Sequence, residues 1–236
     1  MRFILFTAIL AFALGIASGQ SVDSLDDIQF WTGSGTNRAA LVLDWNGASM
    51  TDTSWVWGYR WDGAATVEDM FFSVVTTDPR VFAKVSSPGA FGVSLYGIGY
   101  DNGDLNFGLD DGTVFDANGF AIDPSSRDGA AAMDVRDEYA EGWLSNGFWS
   151  LSTAADNPFD GGIWLGANTG ISGQSVDNES WNGLAFATGF VSPSVAANPQ
   201  AAAVPEPSAL AVLSVVSAGV VWNRRRRSRK GRDVIV

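Results

Sequence analysis

The sequence predicts a β-rich α+β fold, a hairpin and one helix packed on a mostly antiparallel sheet. Three observations carry that expectation. Trp55, Trp57, Tyr59 and Trp61 recur at every second residue, which puts four rings on one face of an extended strand. Thr66-Val-Glu-Asp69 has the residues of a capped helix start. The rest of the middle region alternates short runs of β-formers with Gly, Asn and Asp turns. An all-β sandwich is the alternative if the helix does not form.

In chain order, the polar segment around Asp23 to Asp27 leads to Phe30-Trp31, where packing begins. Ala40 to Trp45 is short, rich in β-formers and ended by Asn46-Gly47, so it reads as a strand. The Ser49 to Thr53 loop then joins it to the aromatic strand, and two neighbouring strands so joined pair most economically as a hairpin. Thr66 can cap the free amides of a helix running to about Thr77, with Asp69 returning the bond and Glu68 near the positive helix end. Its Met70, Phe71, Val74 and Val75 fall on one stripe, which would lie against the sheet. Asp78-Pro79 stops it.

Val81 to Val85 and Phe91 to Tyr100 follow as strands. Leu105 to Leu109 and Thr113 to Phe115 would make a second hairpin around Asp110-Asp111-Gly112. Asp116 to Ala132 is turn-rich decoration, and Asp134 to Glu141 would form a short acidic helix. Trp143 to Thr153 and Trp181 to Val191 read as late strands, separated by a Gly/Asn/Ser loop containing Trp164.

Composition narrows the chemistry. The chain has no cysteine and no histidine, which removes disulfides, Ser-His-Asp and Cys-His mechanisms and most zinc and iron sites. Of 14 basic residues, seven lie between Arg224 and Arg232 and one is Arg2; the six that remain face 24 acids, a net charge of −18 for the middle of the chain. Such a surface repels phosphate backbones, so nucleic acid is not an expected partner. No cofactor is expected.

Three groups of residues invite a functional reading. The rings of Trp55, Trp57, Tyr59 and Trp61 either stack on a sugar or another planar ligand, or form the bulky side of a sheet under a helix. Asn102, Asp104 and Asn106 lie in an oxygen-rich stretch with Asp110 and Asp111, but an EF-hand register fails there: counted from Asn102, Phe107 occupies the glycine position and Thr113 the position of the bidentate acid. That leaves a hairpin turn or a calcium loop of another kind. Asp62, Glu68, Glu138 and Glu141 include the acids a glycosidase pair would need, yet no pair stands out among so many, and a non-enzymatic role is expected.

The two ends are not domain material. Met1 and Arg2, the apolar run Phe3 to Ile16 and the small residues Ala17 to Gly19 have the build of a secretory signal peptide cut after Gly19. That implies Sec-type export machinery as a partner. The exported domain would span residues 20–194, followed by an Ala/Asn/Pro/Gln linker at 195–203 and a terminal module at 204–236. This module runs Val204-Pro-Glu-Pro-Ser208, an apolar segment Ala209 to Trp222, and a basic cluster opened by Arg224, Arg225, Arg226 and Arg227. Arginines after an apolar run stay on the cytoplasmic side, which places the domain outside, in agreement with the signal peptide.

The tripartite end resembles the PEP-CTERM sorting signal of bacterial surface proteins. On that resemblance Pro205, Glu206 and Pro207 are recognised by an exosortase-type membrane protease, and the chain is anchored in the membrane before display or release. The apolar run is shorter than the ~20 residues of a full span, and Gly231 to Val236 extends past the basic cluster, two departures from the pattern. An ordinary single-pass anchor is the alternative. Ala65 to Met70, Phe91 to Ile98 and the region of Trp149 resemble the small β-grasp-type domain of transcobalamin-like proteins, which implies a ligand-binding module for a corrinoid or similar planar molecule. The expected role is an envelope or extracellular-matrix protein. The alternative is a module that binds polysaccharide or a small planar ligand through the aromatic strand.

Overall fold

The computed structural model describes residues 20–46, 54–103, 106–143, 145–187, 189 and 199–204. The expected signal peptide, the Ser49 to Thr53 loop, Asp104 and the tail from Pro205 onward lie outside them. In chain order the elements are β1 (Trp31–Gly33), β2 (Asn37–Asp44), β3 (Ser54–Trp61), α1 (Val67–Thr77), β4 (Val81–Val85), β5 (Leu95–Tyr100), β6 (Phe120–Ile122), β7 (Glu138–Glu141), β8 (Phe148–Ala154), β9 (Leu165–Gly166), β10 (Trp181–Ala187) and β11 (Gln200–Ala201). A single 3₁₀ turn, Leu25–Asp27, precedes β1 and is capped by Ser24. The fold is β-rich, with one α-helix among the described residues.

The strands form two sheets. The larger has the order β1-β3-β2-β10-β8-β9, with β11 sharing the outer edge of β3 with β1; the smaller has the order β6-β4-β5-β7. β2 and β3 pair antiparallel from Asn37↔Trp61 to Asp44↔Ser54, the hairpin expected from the sequence. Most pairings are antiparallel, as expected, but both sheets are mixed. β1 and β11 run parallel to β3, β10 runs parallel to β2, and β6 runs parallel to β4, four of the nine pairings among the described residues.

The large sheet is buried on both faces. Ala39, Leu41 and Leu43 turn toward a main core with Trp57, Tyr59 and Trp61, while Ala40 and Val42 turn the other way. On that second side Val22, Leu25, Ile28, Val56 and Trp181 close a smaller core. Double burial explains why Ala-Leu-Val-Leu is uniformly apolar where a half-exposed strand would alternate. The main core is completed by α1, through Met70, Phe71, Val74 and Val75, and by Val81, Ala83, Ile98 and Ala140 of the small sheet. Two indoles tie the layers together: Trp45 Nε1 donates to the Ile98 carbonyl at 3.0 Å, and Trp149 Nε1 to the Ala140 carbonyl at 3.2 Å.

The helix begins where the capping pattern placed it. Thr66 Oγ1 accepts from the Asp69 amide at 3.2 Å, and Asp69 Oδ2 accepts from the Thr66 amide at 2.8 Å. Its last turn closes with the Asp78 amide donating to the Val74 carbonyl.

Several other expectations are corrected. Among the described residues no ladder joins the two arms around Asp110-Asp111-Gly112; Leu109 bridges Ala132 instead, and the Met133 amide donates to the Gly108 carbonyl. The acidic helix at 134–141 is a turn followed by β7, because Tyr139 and Glu141 face one side of the small sheet and Ala140 fills the core on the other. Phe91 is fully exposed beside the mutually paired Gly89 and Gly92, and the strand starts only at Leu95. Trp143 precedes its strand, and β10 ends at Ala187. The turn-rich segment after Asp116 includes β6, and the end of the expected linker includes β11, which joins the large sheet.

Candidate functional site

The aromatic strand is a core strand. Trp57, Tyr59 and Trp61 are buried and Trp55 is half-buried, so the four rings do not make an open stacking platform. The physical reason is local: Asp62-Gly63 turns the chain, and α1 folds back over the face the rings occupy. Tyr59 and Trp61 stack on each other at 5.4 Å, and Trp55 lies 5.1 Å from Tyr100.

Trp57 also has a polar task. Its Nε1 donates to Asp78 Oδ2 at 2.9 Å, and the Arg80 guanidinium grips the same carboxylate through Nε at 2.9 Å and Nη2 at 2.8 Å. Arg80 Nη2 also donates to the Ala203 carbonyl. The guanidinium sits 5.2 Å from the Tyr100 ring centre. Burial pushes the Tyr100 hydroxyl well above its ordinary pKa, with the nearby Arg80 charge opposing that rise.

A second polar cluster lies on the outer side of the small sheet. Lys84 has no exposed surface, and its Nζ donates to Asp111 Oδ2 at 2.6 Å and Glu141 Oε2 at 2.7 Å. The Tyr139 hydroxyl donates to the same Glu141 oxygen at 2.6 Å, and the Ala130 amide donates to Oε1 at 2.8 Å. Burial would raise the Asp111 carboxyl, but the Lys84 ammonium and the Thr113 donors outweigh it and hold it below the ordinary value. Burial and the Glu141 hydrogen bond push the Tyr139 hydroxyl far up. The cluster therefore fixes the 106–132 segment over the sheet, together with Phe107, which stacks on Phe82 at 4.4 Å. A buried lysine whose partners are both carboxylates inside the fold is spent on structure. The sequence carried a sign of it in the lone charge of Val-Phe-Ala-Lys-Val, at positions 81–85, which the reading of catalytic acids passed over.

The acids singled out as catalytic candidates lie on three parts of the fold: Asp62 just after β3, Glu68 on α1, and Glu138 and Glu141 on β7. Asp62 accepts from the amide and hydroxyl of Thr36 at 3.0 and 2.9 Å, Glu68 stands in the first turn of α1, and Glu141 is bound to Lys84. Glu138 is buried on β7. In the calcium candidate, the Asn102 amide donates to Asp137 Oδ1 and Asn106 is exposed. Among the described residues no three acidic side chains gather closely enough to hold a metal ion. No helix among them is long and apolar enough to cross a membrane.

A polar groove that the sequence did not announce lies beside the ends of β8 and β10. It measures about 190 Å³ and is lined by Thr153, Gln174, Ser175, Asp177, Asn178 and Asn182 among others. Hydrogen bonds orient its amides: Asn178 Oδ1 accepts from the Arg38 amide at 2.9 Å, Gln174 Nε2 donates to the Ser175 carbonyl at 3.2 Å, and Asn182 Nδ2 donates to Ser180 Oγ at 3.0 Å. Asn178 is exposed and Gln174 half-buried, whereas Asn182 is buried and its Nδ2 also reaches the Ala40 carbonyl at 3.5 Å. Comparison with protein-family models, curated proteins and solved structures found no match.

Proposed function

We propose that the chain is an exported bacterial surface protein of non-enzymatic role, belonging to the envelope or extracellular matrix and sorted through a PEP-CTERM-type tail. The observation that carries this reading is the order of parts at the C-terminal end: Pro205-Glu206-Pro207, then an apolar run, then the arginine cluster. The signal-peptide pattern at residues 1–19 and the net charge of −18 between the ends support export of the domain. Its partners in this reading are the Sec-type machinery, the membrane through the apolar run, and an exosortase-type protease. We class the fold as α+β, since α1 supplies five core side chains and is not an appendage to a sandwich.

The test is the mass of the mature protein and its terminal peptides, recovered from membrane, envelope and medium of the native cells. Loss of both the signal peptide and the arginine-rich tail is expected. A tail retained in every fraction overturns the sorting reading and leaves a single-pass anchored domain.

The polar groove favours a second reading, polysaccharide binding, with the site moved from the aromatic strand to Asp177, Asn178 and their neighbours. Fixed amides and hydroxyls match the donors and acceptors of a neutral sugar, and the acidic domain disfavours anionic polymers. Calorimetric titration with neutral polysaccharides checks it: binding should be lost in Asn178→Ala and Asp177→Ala, and the absence of heat with every glycan removes this reading.

A further inference from the structure

The end of the domain is held on three sides. β11 pairs parallel to β3 at Gln200↔Trp55 and Ala201↔Val56, and the Ala202 amide donates to the Val56 carbonyl at 2.9 Å. On its other edge lies the N-terminal segment: Ser21 bridges Gln200, the Val22 amide donates to the Pro199 carbonyl at 2.9 Å, and the Ala201 amide donates to the Gln20 carbonyl at 2.8 Å. Ala201 and Ala202 have no exposed surface, one entering the smaller core and the other the main core. Arg80 then binds the Ala203 carbonyl. Burial stops there: Val204 is 57% exposed, and Pro205 is the next residue.

Resting on the sorting reading, we infer that residues 199–203 are a latch that gates C-terminal processing. Peptide-recognition sites commonly take their ligand as an extended strand, using its backbone amides and carbonyls. With the latch closed, those groups are already committed up to Ala203, and Val204 alone separates the locked backbone from the Pro-Glu-Pro sequence. A membrane protease therefore meets a substrate with almost no free chain on its N-terminal side. Opening the latch releases five further residues. The same geometry fixes the product: a cut that leaves the domain intact falls after Ala203, because a cut just before it removes the carbonyl that Arg80 binds, and one farther upstream removes the alanines that close both cores.

The latch also senses the other end of the chain. Its partner is Gln20 to Val22, the segment that becomes the new N-terminus if the signal peptide is cut after Gly19. Closure thus joins the two ends of the mature domain at one edge of the large sheet.

The experiment uses the full chain in its native cells, followed by pulse-chase. One variant carries Gly-Ser-Gly-Ser inserted between Ala203 and Val204, which leaves the latch untouched and supplies free chain. Another, Ala202→Glu, opens the latch. Both should be processed several-fold faster than the natural chain, and the natural product should end beyond Ala203. Equal rates for the inserted and natural chains overturn the latch and leave the sorting reading standing. An absence of processing in all three overturns the sorting reading, and the gating with it.

Discussion

The indole nitrogen of Trp57 donates to the carboxylate of Asp78 at 2.9 Å, with neither side chain exposed to solvent. This bond joins the middle of β3 to the residue that closes α1, and through Arg80 it reaches the last buried residues of the domain. Trp57→Phe keeps most of the apolar contact and removes the donor, so its polar cost is about 1–3 kcal/mol. Asp78→Ala leaves the Arg80 guanidinium without its bidentate partner and should cost about 3–5 kcal/mol. Urea unfolding of the two variants checks the ranking.

Lys84→Met leaves the buried Glu141 carboxylate without its cation, which predicts a loss of about 3–5 kcal/mol. Adding Glu141→Gln to it should restore part of that loss, since a neutral amide carries a smaller desolvation penalty. The Asp111 carboxyl should also move back toward its ordinary value in Lys84→Met, a change that an NMR titration reads directly.

Acid should weaken the fold in a narrow window. Asp111 is held below its ordinary value of 3.8 despite partial burial, by Lys84 and Thr113. The Thr36 donors lower Asp62, the Ser87 donors lower Asp123, the Trp143 amide lowers Asp128, and Arg136 brings Asp134 to about 2. Each of these acids binds its proton more readily in the unfolded chain. Stability from them is therefore complete above the ordinary carboxylate range and is lost as pH falls through the folded-state values. Tm should be flat from about pH 7 to 5 and drop between about 4 and 2, with a shallower drop in Asp111→Asn.

Gly99→Ala tests the cover of the small sheet. A Cβ at Gly99 would stand 2.2 Å from the Phe107 ring, which is stacked on Phe82. The ring has to leave, at a cost of about 1–3 kcal/mol. Hydrogen exchange should show faster exchange of β5 and of the segment after Asn106, while β2 and β3 keep their protection.

What could be read from the sequence was what neighbouring residues decide. Thr66 and Asp69 cap each other within four positions, so the helix start was legible; β2 and β3 are joined by a short loop, so their pairing was as well. The parallel partners were not, because nothing near Trp181 points to Ala40, some 140 residues earlier. Asp111-Gly112 announced a turn correctly but not that Leu109 would meet Ala132. Acids and an arginine gave 134–141 a helical composition that the cross-strand fit of Tyr139 and Ala140 overrode. Ala201 and Ala202 looked like linker because they are small, and smallness is what lets them enter two filled cores. The same limit applied to function: alternation showed four rings on one face, and only the path of α1 decides that the face is covered.

The pairing of β2 with β10 has a temporal consequence. β2 pairs locally with β3 on one edge but finds its other neighbour only in a strand near the end of the domain, so the large sheet cannot be completed until residues 181–187 are available. Contacts so distant along the chain carry a large loop-closure cost and place folding on the millisecond-to-second side of the known range. If the chain is exported as proposed, the large sheet would therefore stay incomplete until its last long strand has crossed the membrane.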